Sequence, residues 1–333
     1  MSSALVTGAT GLVGSYVVER LLADGWTVRA LVRDAARASI LADAGVALAT
    51  GDVLEAEGFR RAAVGCDVVF HTAAAVTPSG GWEAFQRPNV EGTQHAIAAV
   101  AAAGARLVHV SSVAVYGGTS RYRDGEQTSE DAALAPLPAS AFYARSKRES
   151  EALVLEAHRA GRIWATAVRP DVIYGKRDRQ FVPRVAHLLR WGFAPIVGSG
   201  QSTLAIVHAA NVADGMVRAA VADVAAGRAY NLANDFDVTV AEFFRLAGLG
   251  LERRLRTLHI PRSAGKGVEA IIRAAGAVVP GRRFKAVSFS AIDFLSRDNP
   301  FTSARARREL GWDPPVHPDA GIPDAFRWAA AHR

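Results

Sequence analysis

A chain of 333 residues, 50% hydrophobic and 21% charged, has room for one large domain or two closely joined ones and is too apolar to be mainly disordered. Its net charge of +7 and pI of about 10.0 raise nucleic acid, an anionic cofactor and a membrane surface as partners, but the basic clusters are short and separated and no nucleic-acid motif accompanies them. The single cysteine, Cys66, excludes an intramolecular disulfide and a Cys-built metal site and suits a reducing, cytoplasmic setting, while the dispersed histidines lack zinc spacing, so no metal is expected.

The chain opens ALVTGATGLVGSYVVERLLADGWTVRALVRD. This reads as an apolar strand, a Gly-rich turn, a helix with apolar residues at helical spacing, a stop at Gly25 and a second strand, TVRALV. No basic start and apolar run precede the first strand, so no signal peptide is expected. The turn, TGATGLVG, places Gly8, Gly11 and Gly14 between strand and helix. Glycine is needed there for a tight turn, for close backbone approach to a pyrophosphate and for close helix-to-strand packing, and the helix N-terminus faces the phosphate charge. In this context the loop predicts dinucleotide binding.

The end of the second strand reports the cofactor type, because an acid there binds the ribose hydroxyls of NAD and repels the extra phosphate of NADP. This chain has Val32 and then Arg33, which can pair with a phosphate, so NADP(H) is favoured over NAD(H). Two readings stay open for Asp34, a helix cap or a ribose contact. Two also stay open for Asp52 of the following GDV, an adenine contact or a helix cap.

VALATGD, DVVFH, ARLVHVSS and IWATAVRP read as further strands, and 54–64, 82–103 and 141–160 as helices. Strands alternating with helices predict an α/β fold, a doubly wound parallel sheet with helices on both faces. The Ala-rich stretch at 95–105 is strong helix sequence whose flat face suits helix packing or a homodimer interface. After about residue 170 loops and short elements dominate. Residues 1–170 are expected to form the cofactor domain, with 204–232 returning to it, and 171–203 with 233–333 a smaller mixed α/β substrate lobe. The apolar segment 268–280 is interrupted by Arg273 and too short to cross a bilayer, which leaves it to lie on a membrane or to wall a greasy pocket.

Within the third helix, FYARSKRES sets Tyr143 and Lys147 four residues apart, on one helix face. With six Tyr and four Lys in the chain, about 0.07 such matches arise by chance. An exposed face with a snorkelling lysine and a catalytic pair both fit this spacing.

Together TGATGLVG, GDV at 51, VFHTAA at 69, NVEGT at 89, VSSVAVYG at 110, YARSK at 143, RPDVIYG at 169 and SARARRELGW near the end resemble the extended short-chain dehydrogenase/reductases over nearly the whole chain. The resemblance implies a Rossmann-type fold and a catalytic set of Ser112, Tyr143 and Lys147 supported by Asn89. It lays the cofactor along Gly8, Thr10, Gly11, Leu12, Val13, Gly14, Arg33, Asp52, Val53, Thr72, Ala73, Ala74, Ser111, Tyr143, Lys147, Pro170 and Val172. Ser111 is the weaker catalytic candidate because strand alternation points it the other way. A free tyrosine titrates near about 10, and a neighbouring ammonium together with the nicotinamide cation is expected to favour its phenolate. In ketone reduction Tyr143 would give the proton, Ser112 orient the oxygen and Lys147 hold the nicotinamide ribose.

The stretch 198–215 matches nucleotide-sugar epimerases in length, but Leu204 and Ala205 stand where those enzymes usually carry an Arg-Asp pair for the diphosphate. Dehydratases carry an acid pair where Val113 and Ala114 follow Ser112. The remaining pattern resembles the 3β-hydroxysteroid dehydrogenase and dihydroflavonol-reductase-like branch. Trp191, Phe193, Phe289 and Phe294 suit either a bulky apolar substrate or the core of the small lobe, and GRRFK at 281–285 an acidic substrate group or a solvated loop. The expected activity is an NADP(H)-dependent interconversion of ketone and secondary alcohol on a steroid-, flavonoid- or β-keto-acid-like substrate. A nucleotide-sugar epimerase and a non-catalytic cofactor-bound scaffold are the alternatives.

Overall fold

The structure is a computed structural model that describes residues 2–117, 127–261 and 291–332. Its strands are β1 (Ser3–Thr7), β2 (Thr27–Val32), β3 (Ala47–Thr50), β4 (Val68–His71), β5 (Arg106–Val110), β6 (Trp164–Pro170), β7 (Val172–Tyr174), β8 (Phe193–Val197), β9 (Ile206–His208), β10 (Ala229–Leu232) and β11 (Arg256–Ile260). The helices are α1 (Leu12–Ala23), α2 (Ser39–Asp43), α3 (Ala56–Ala63), α4 (Glu83–Gln86), α5 (Gly92–Ala103), α6 (Phe142–Arg159), α7 (Phe181–Leu188), α8 (Ala209–Val221), α9 (Val240–Gly250), α10 (Ala291–Ser296), α11 (Ala304–Leu310) and α12 (Pro318–Ala331).

Seven strands form one sheet in the order β10-β6-β5-β4-β1-β2-β3, and the pairs along it are parallel. The central strands are apolar on both faces, as β4 shows with all four of its residues buried, because helices cover the sheet on both sides. On one face Val17, Val18 and Leu21 of α1 pack with Val212, Met216 and Val217 of α8. On the other, Phe59 of α3, Ile97 and Val100 of α5 and Val154 of α6 close over Leu5, Val69 and Leu107. The chain winds outward through β2 and β3 and then returns to β4 on the far side of β1. That reversal opens a crevice at the C-terminal ends of β1 and β4, the usual ligand position in such sheets.

The stretch 82–103, expected as helix, contains a wide π-turn at Arg87–Glu91 between α4 and α5. Pro88 lies in this turn, and its missing N–H cannot support a regular helical ladder. A second apolar cluster joins α7, α9 and α12 with Ile196, Leu204 and Ile206. Beside it β8 pairs with β11, and β7 with β9. Trp191 and Phe193 are not core residues: they are 73% and 47% exposed. Phe294 packs against Phe181 at the edge of the second cluster. Phe289, the 268–280 segment and GRRFK lie outside the described residues. No helix of the described residues is long and apolar enough to cross a membrane.

One buried ion pair fixes α6 on the sheet. Arg169 of β6 donates from Nε and Nη2 to the two carboxylate oxygens of Glu151 at 2.9 and 2.6 Å, and from Nη1 to the Tyr116 hydroxyl at 2.7 Å. Tyr116 in turn donates to Asn231 of β10 at 2.8 Å. Both members of the pair are almost solvent-free, so removing one leaves the other as an uncompensated charge. Glu151→Ala is therefore expected to cost about 3–5 kcal/mol in chemical denaturation, whereas Glu149→Ala, on the exposed side of α6, stays within about 0.5 kcal/mol of the parent. Equal losses in the two variants would contradict the assignment.

Candidate active site

The crevice starts at the turn after β1. Gly8 sits at φ +67°, and a Cβ added there would stand 2.9 Å from the backbone of Ala73. A Cβ on Gly14 would come within 2.2 Å of the Gly8 carbonyl oxygen, so only glycine lets α1 start against the strand exit. Gly11 N donates to Gly8 O at 2.8 Å and closes the turn. The Thr72 hydroxyl donates to Thr7 O at 2.6 Å, and Ala73 N to the Thr7 hydroxyl at 3.3 Å, which ties the β4 exit to the β1 exit. Thr10, Gly11 and Ala74 are exposed, and Leu12 and Val13 half-buried. Helix α1 has neither a side-chain cap nor an acid in its first turn, so its leading N–H groups remain to receive an anion.

At the exit of β2, Arg33 is exposed and makes no ion pair among the described residues. Asp34 takes the capping role: its Oδ1 accepts from Ala36 N at 3.0 Å and Arg37 N at 3.2 Å. Asp52 accepts from Leu54 N at 3.0 Å and shapes the turn into α3 while remaining half-buried. Val53 touches α5, its carbonyl meeting the His95 ring at 2.9 Å.

Helix α6 brings the chemistry to the end of β5. Ser112 lies against Tyr143, close enough for its hydroxyl to lower the pKa of the phenol. The Ser112 hydroxyl also accepts from Ala114 N at 3.2 Å, capping the short turn Val113–Tyr116. Lys147 Nζ donates to Val110 O at 2.5 Å, so the ammonium lies beneath the strand end rather than on an exposed helix face. Asn89 is buried in the π-turn. Its Oδ1 accepts from Ala75 N at 2.7 Å, and its Nδ2 donates to Ala75 O and to Ser146 Oγ, both at 2.9 Å. Asn89 thus ties the loop after β4 to α6 without bonding Tyr143 or Lys147 side chains. Ser111 donates its backbone N–H to Val168 O at 2.7 Å, and its buried hydroxyl has no partner among the described residues. Pro170 ends β6 opposite Leu232, and Val172 N donates to Ala205 O at 3.3 Å.

Burial controls the electrostatics. The Tyr143 ring keeps some solvent contact, but its hydroxyl lies among packed atoms, and desolvation raises its pKa against the smaller opposing effect of the Ser112 hydroxyl. The Lys147 ammonium is directed to Val110. Desolvation also pulls Lys147 down to about 8, against the attraction of Glu151, whose two oxygens are shared with Arg169. Its other neighbours supply no negative charge. His71 and His109 stack with centroids 5.7 Å apart, and burial, assisted by Lys147, holds His71 at about 3 and His109 well below its ordinary value.

Sequence reasoning passed over Arg169 and Glu151. A charge inside the otherwise apolar strand IWATAVRP, and an acid one further turn along the Tyr143 and Lys147 face, were the available signals. It also passed over Asp171, between the two β6-exit residues named above. Asp171 is buried with one carboxylate oxygen unpartnered among the described residues, and burial, with a smaller contribution from Asp235, raises its pKa well above the ordinary carboxylate value.

The profile of the NAD dependent epimerase/dehydratase family matches residues 4–233. A 4-hydroxy-2-methyl-3-oxo-4-farnesyl-3,4-dihydroquinoline-1-oxide ketoreductase of Stigmatella aurantiaca is 32% identical over 97% of this chain and 95% of its own. A 3-beta-hydroxysteroid dehydrogenase of Mycolicibacterium neoaurum is 28% identical over 93% and 86%. Among solved structures, MoeE5 in complex with UDP-glucose and NAD superposes with a TM-score of 0.73 at 24% identity, covering 99% of both chains. The likeness to MoeE5 is one of fold. The chain belongs to the NAD dependent epimerase/dehydratase family of extended short-chain dehydrogenase/reductases, and is a dehydrogenase/reductase of the 3β-hydroxysteroid dehydrogenase-like branch.

Proposed function

We propose that the protein is an NADP(H)-dependent oxidoreductase, placed in the cytoplasm, that interconverts a ketone and a secondary alcohol on a bulky apolar substrate. The observation that carries this reading is the placement of Ser112 against Tyr143 above buried Lys147, beside a glycine cradle that a Cβ would crowd. The cradle, the uncapped start of α1 and exposed Arg33 suit a phosphorylated dinucleotide, which when bound supplies or accepts hydride. The ketoreductase and steroid dehydrogenase relatives support the apolar substrate class.

In reduction, Tyr143 gives its phenolic proton to the substrate oxygen, and its raised pKa keeps that proton in place at neutral pH. Ser112 holds the same oxygen by a hydrogen bond. Lys147 keeps a positive charge below the tyrosine and offers its N–H groups to the cofactor ribose. Asn89, Ser146 and the Arg169–Glu151 pair act on geometry: they fix the rotation of α6 against β5.

A nucleotide-sugar substrate is the second reading, and MoeE5 is the observation in its favour. Leu204 weighs against it, because this residue is 1% exposed and packed in the second core rather than offering a cation to a diphosphate. Calorimetry with UDP and GDP separates the two readings, since absence of binding removes the sugar-nucleotide one.

A panel of cyclic and long-chain ketones, assayed with NADPH and NADH side by side, should show turnover that Tyr143→Phe lowers by about 10²-fold or more. Unchanged turnover in that variant rejects the mechanism. Arg33→Asp should move the NADPH/NADH preference toward NADH by about tenfold or more, read as the ratio of kcat/KM values. Lys147 makes a third prediction. Its folded pKa of about 8 lies below the ordinary 10.5, so the unfolded chain binds more protons between these values and stability rises with pH across that window. Lys147→Met is expected to be inactive yet more stable than the parent below pH 8, with the gap closing toward pH 10.5 in thermal denaturation.

A further inference from the structure

Outside the crevice, the small lobe presents a surface that the Tyr143 chemistry does not use. Strands β8 and β11 run parallel with Phe193 opposite Arg256 and Pro195 opposite Leu258, and β11 has no second strand neighbour among the described residues. Trp191 is 73% exposed, Leu258 54%, Leu188 48% and Phe193 47%, so four large apolar side chains meet water around one two-stranded pair. Scattered singly such residues need no explanation, but grouped they mark a contact surface.

The charges among them have one dominant sign. The Arg190 guanidinium stacks on the Trp191 ring at 4.8 Å, and Arg253 reaches the Arg190 carbonyl at 2.9 Å. Arg254 and Arg256 are exposed beside them, and none of these four arginines is in an ion pair among the described residues. Phe244 and Leu255, together with Arg253 and Arg254, also line a cavity of about 500 Å³ next to the pair. A second copy of the same face would bring like charges together, and a neutral apolar partner would leave the arginines unpaired.

We propose that this face docks on an anionic lipid surface, with Trp191 and Phe193 at headgroup depth and the four arginines on lipid phosphates. Tryptophan suits that depth because its ring is apolar with one polar N–H, and an arginine next to it can reach phosphate while its stem stays in the apolar layer. Each basic residue near such a surface adds an attraction that salt screens. The inference stands on this surface alone and does not depend on the reading of the crevice. If both hold, the enzyme works where an apolar ketone accumulates.

The test is flotation of the full chain with vesicles of phosphatidylglycerol and phosphatidylcholine, compared with phosphatidylcholine alone, at low and high ionic strength. Binding to the anionic vesicles only, weakened by salt, is the expected result. Arg253→Gln and Arg254→Gln should each lower partitioning by about fivefold. Trp191→Ser should lower it while leaving ketone turnover and circular dichroism unchanged, and Trp191 fluorescence should shift to the blue on binding. Equal binding to both vesicle types, no binding, or variants that bind like the parent would overturn the proposal. So would sedimentation showing that Trp191→Ser dissolves a dimer, which would assign the face to self-association.

Discussion

The Arg169–Glu151 pair is the constraint on which the position of the candidate site rests. Taking two ions out of water costs several kcal/mol each, and such a pair survives only when its donors and acceptors are nearly all used. Here both carboxylate oxygens receive arginine N–H groups, and the remaining fork of the guanidinium meets Tyr116, which continues to Asn231 on the edge strand. Tyr143, Lys147 and Glu151 recur every four residues on α6 and therefore share a face. Fixing the rotation of Glu151 against β6 also fixes the other two against the end of β5.

The same burial that makes the pair strict sets the protonation of the site. Desolvation is the largest influence on Tyr143, Lys147, His71 and His109, and in each case it favours the neutral form. Glu151 is the one carboxylate that acts on Lys147, and its field is divided with Arg169. A lysine left with a divided counter-charge among neutral rings is poised to lose its proton near pH 8, while the phenol above it holds its own. That order suits a tyrosine that donates, and a lysine whose charge is best compensated when an oxygen-rich ligand arrives. Stability is lost at this point in exchange for a charge held where chemistry needs it.

Much of this was readable from residues alone, for physical reasons that differ by element. The central strands announce themselves because a sheet covered on both faces needs unbroken apolar runs, and the loop after β1 because its glycines have no substitutes. The meeting of Ser112 with Tyr143 was legible only through motif resemblance, since no local rule brings residues from β5 and α6 together. The helical stretch expected over 82–103 is continuous from Glu83 to Ala103, and the π-turn around Pro88 is the detail that periodicity does not carry. Spacing puts Lys147 one turn from Tyr143 but does not report how much water the phenol loses, which is what raises its pKa here. For a related reason Trp191 and Phe193 were not placed: alternation says which residues share a face of a strand, whereas exposure is a property of the tertiary fold.

Leu204 shows how a departure from a family pattern becomes a structural commitment. Its backbone N–H donates to Val238 O at 2.8 Å, and its side chain packs in the cluster with Ile196, Ile206 and Phe243. An arginine placed there would have to bring a guanidinium into an apolar layer or push the chain off β9, and either change would disturb the pairing of β9 with β7. Val172 and Tyr174 on β7 are the continuation of the β6 exit beyond Pro170 and Asp171, so the apolar layer at Leu204 and the crevice at the sheet end are parts of one connected piece. A lobe assembled in this way has no inexpensive route back to a diphosphate site. Its packing, and not only the identity of one side chain, is what keeps a cation out of this layer.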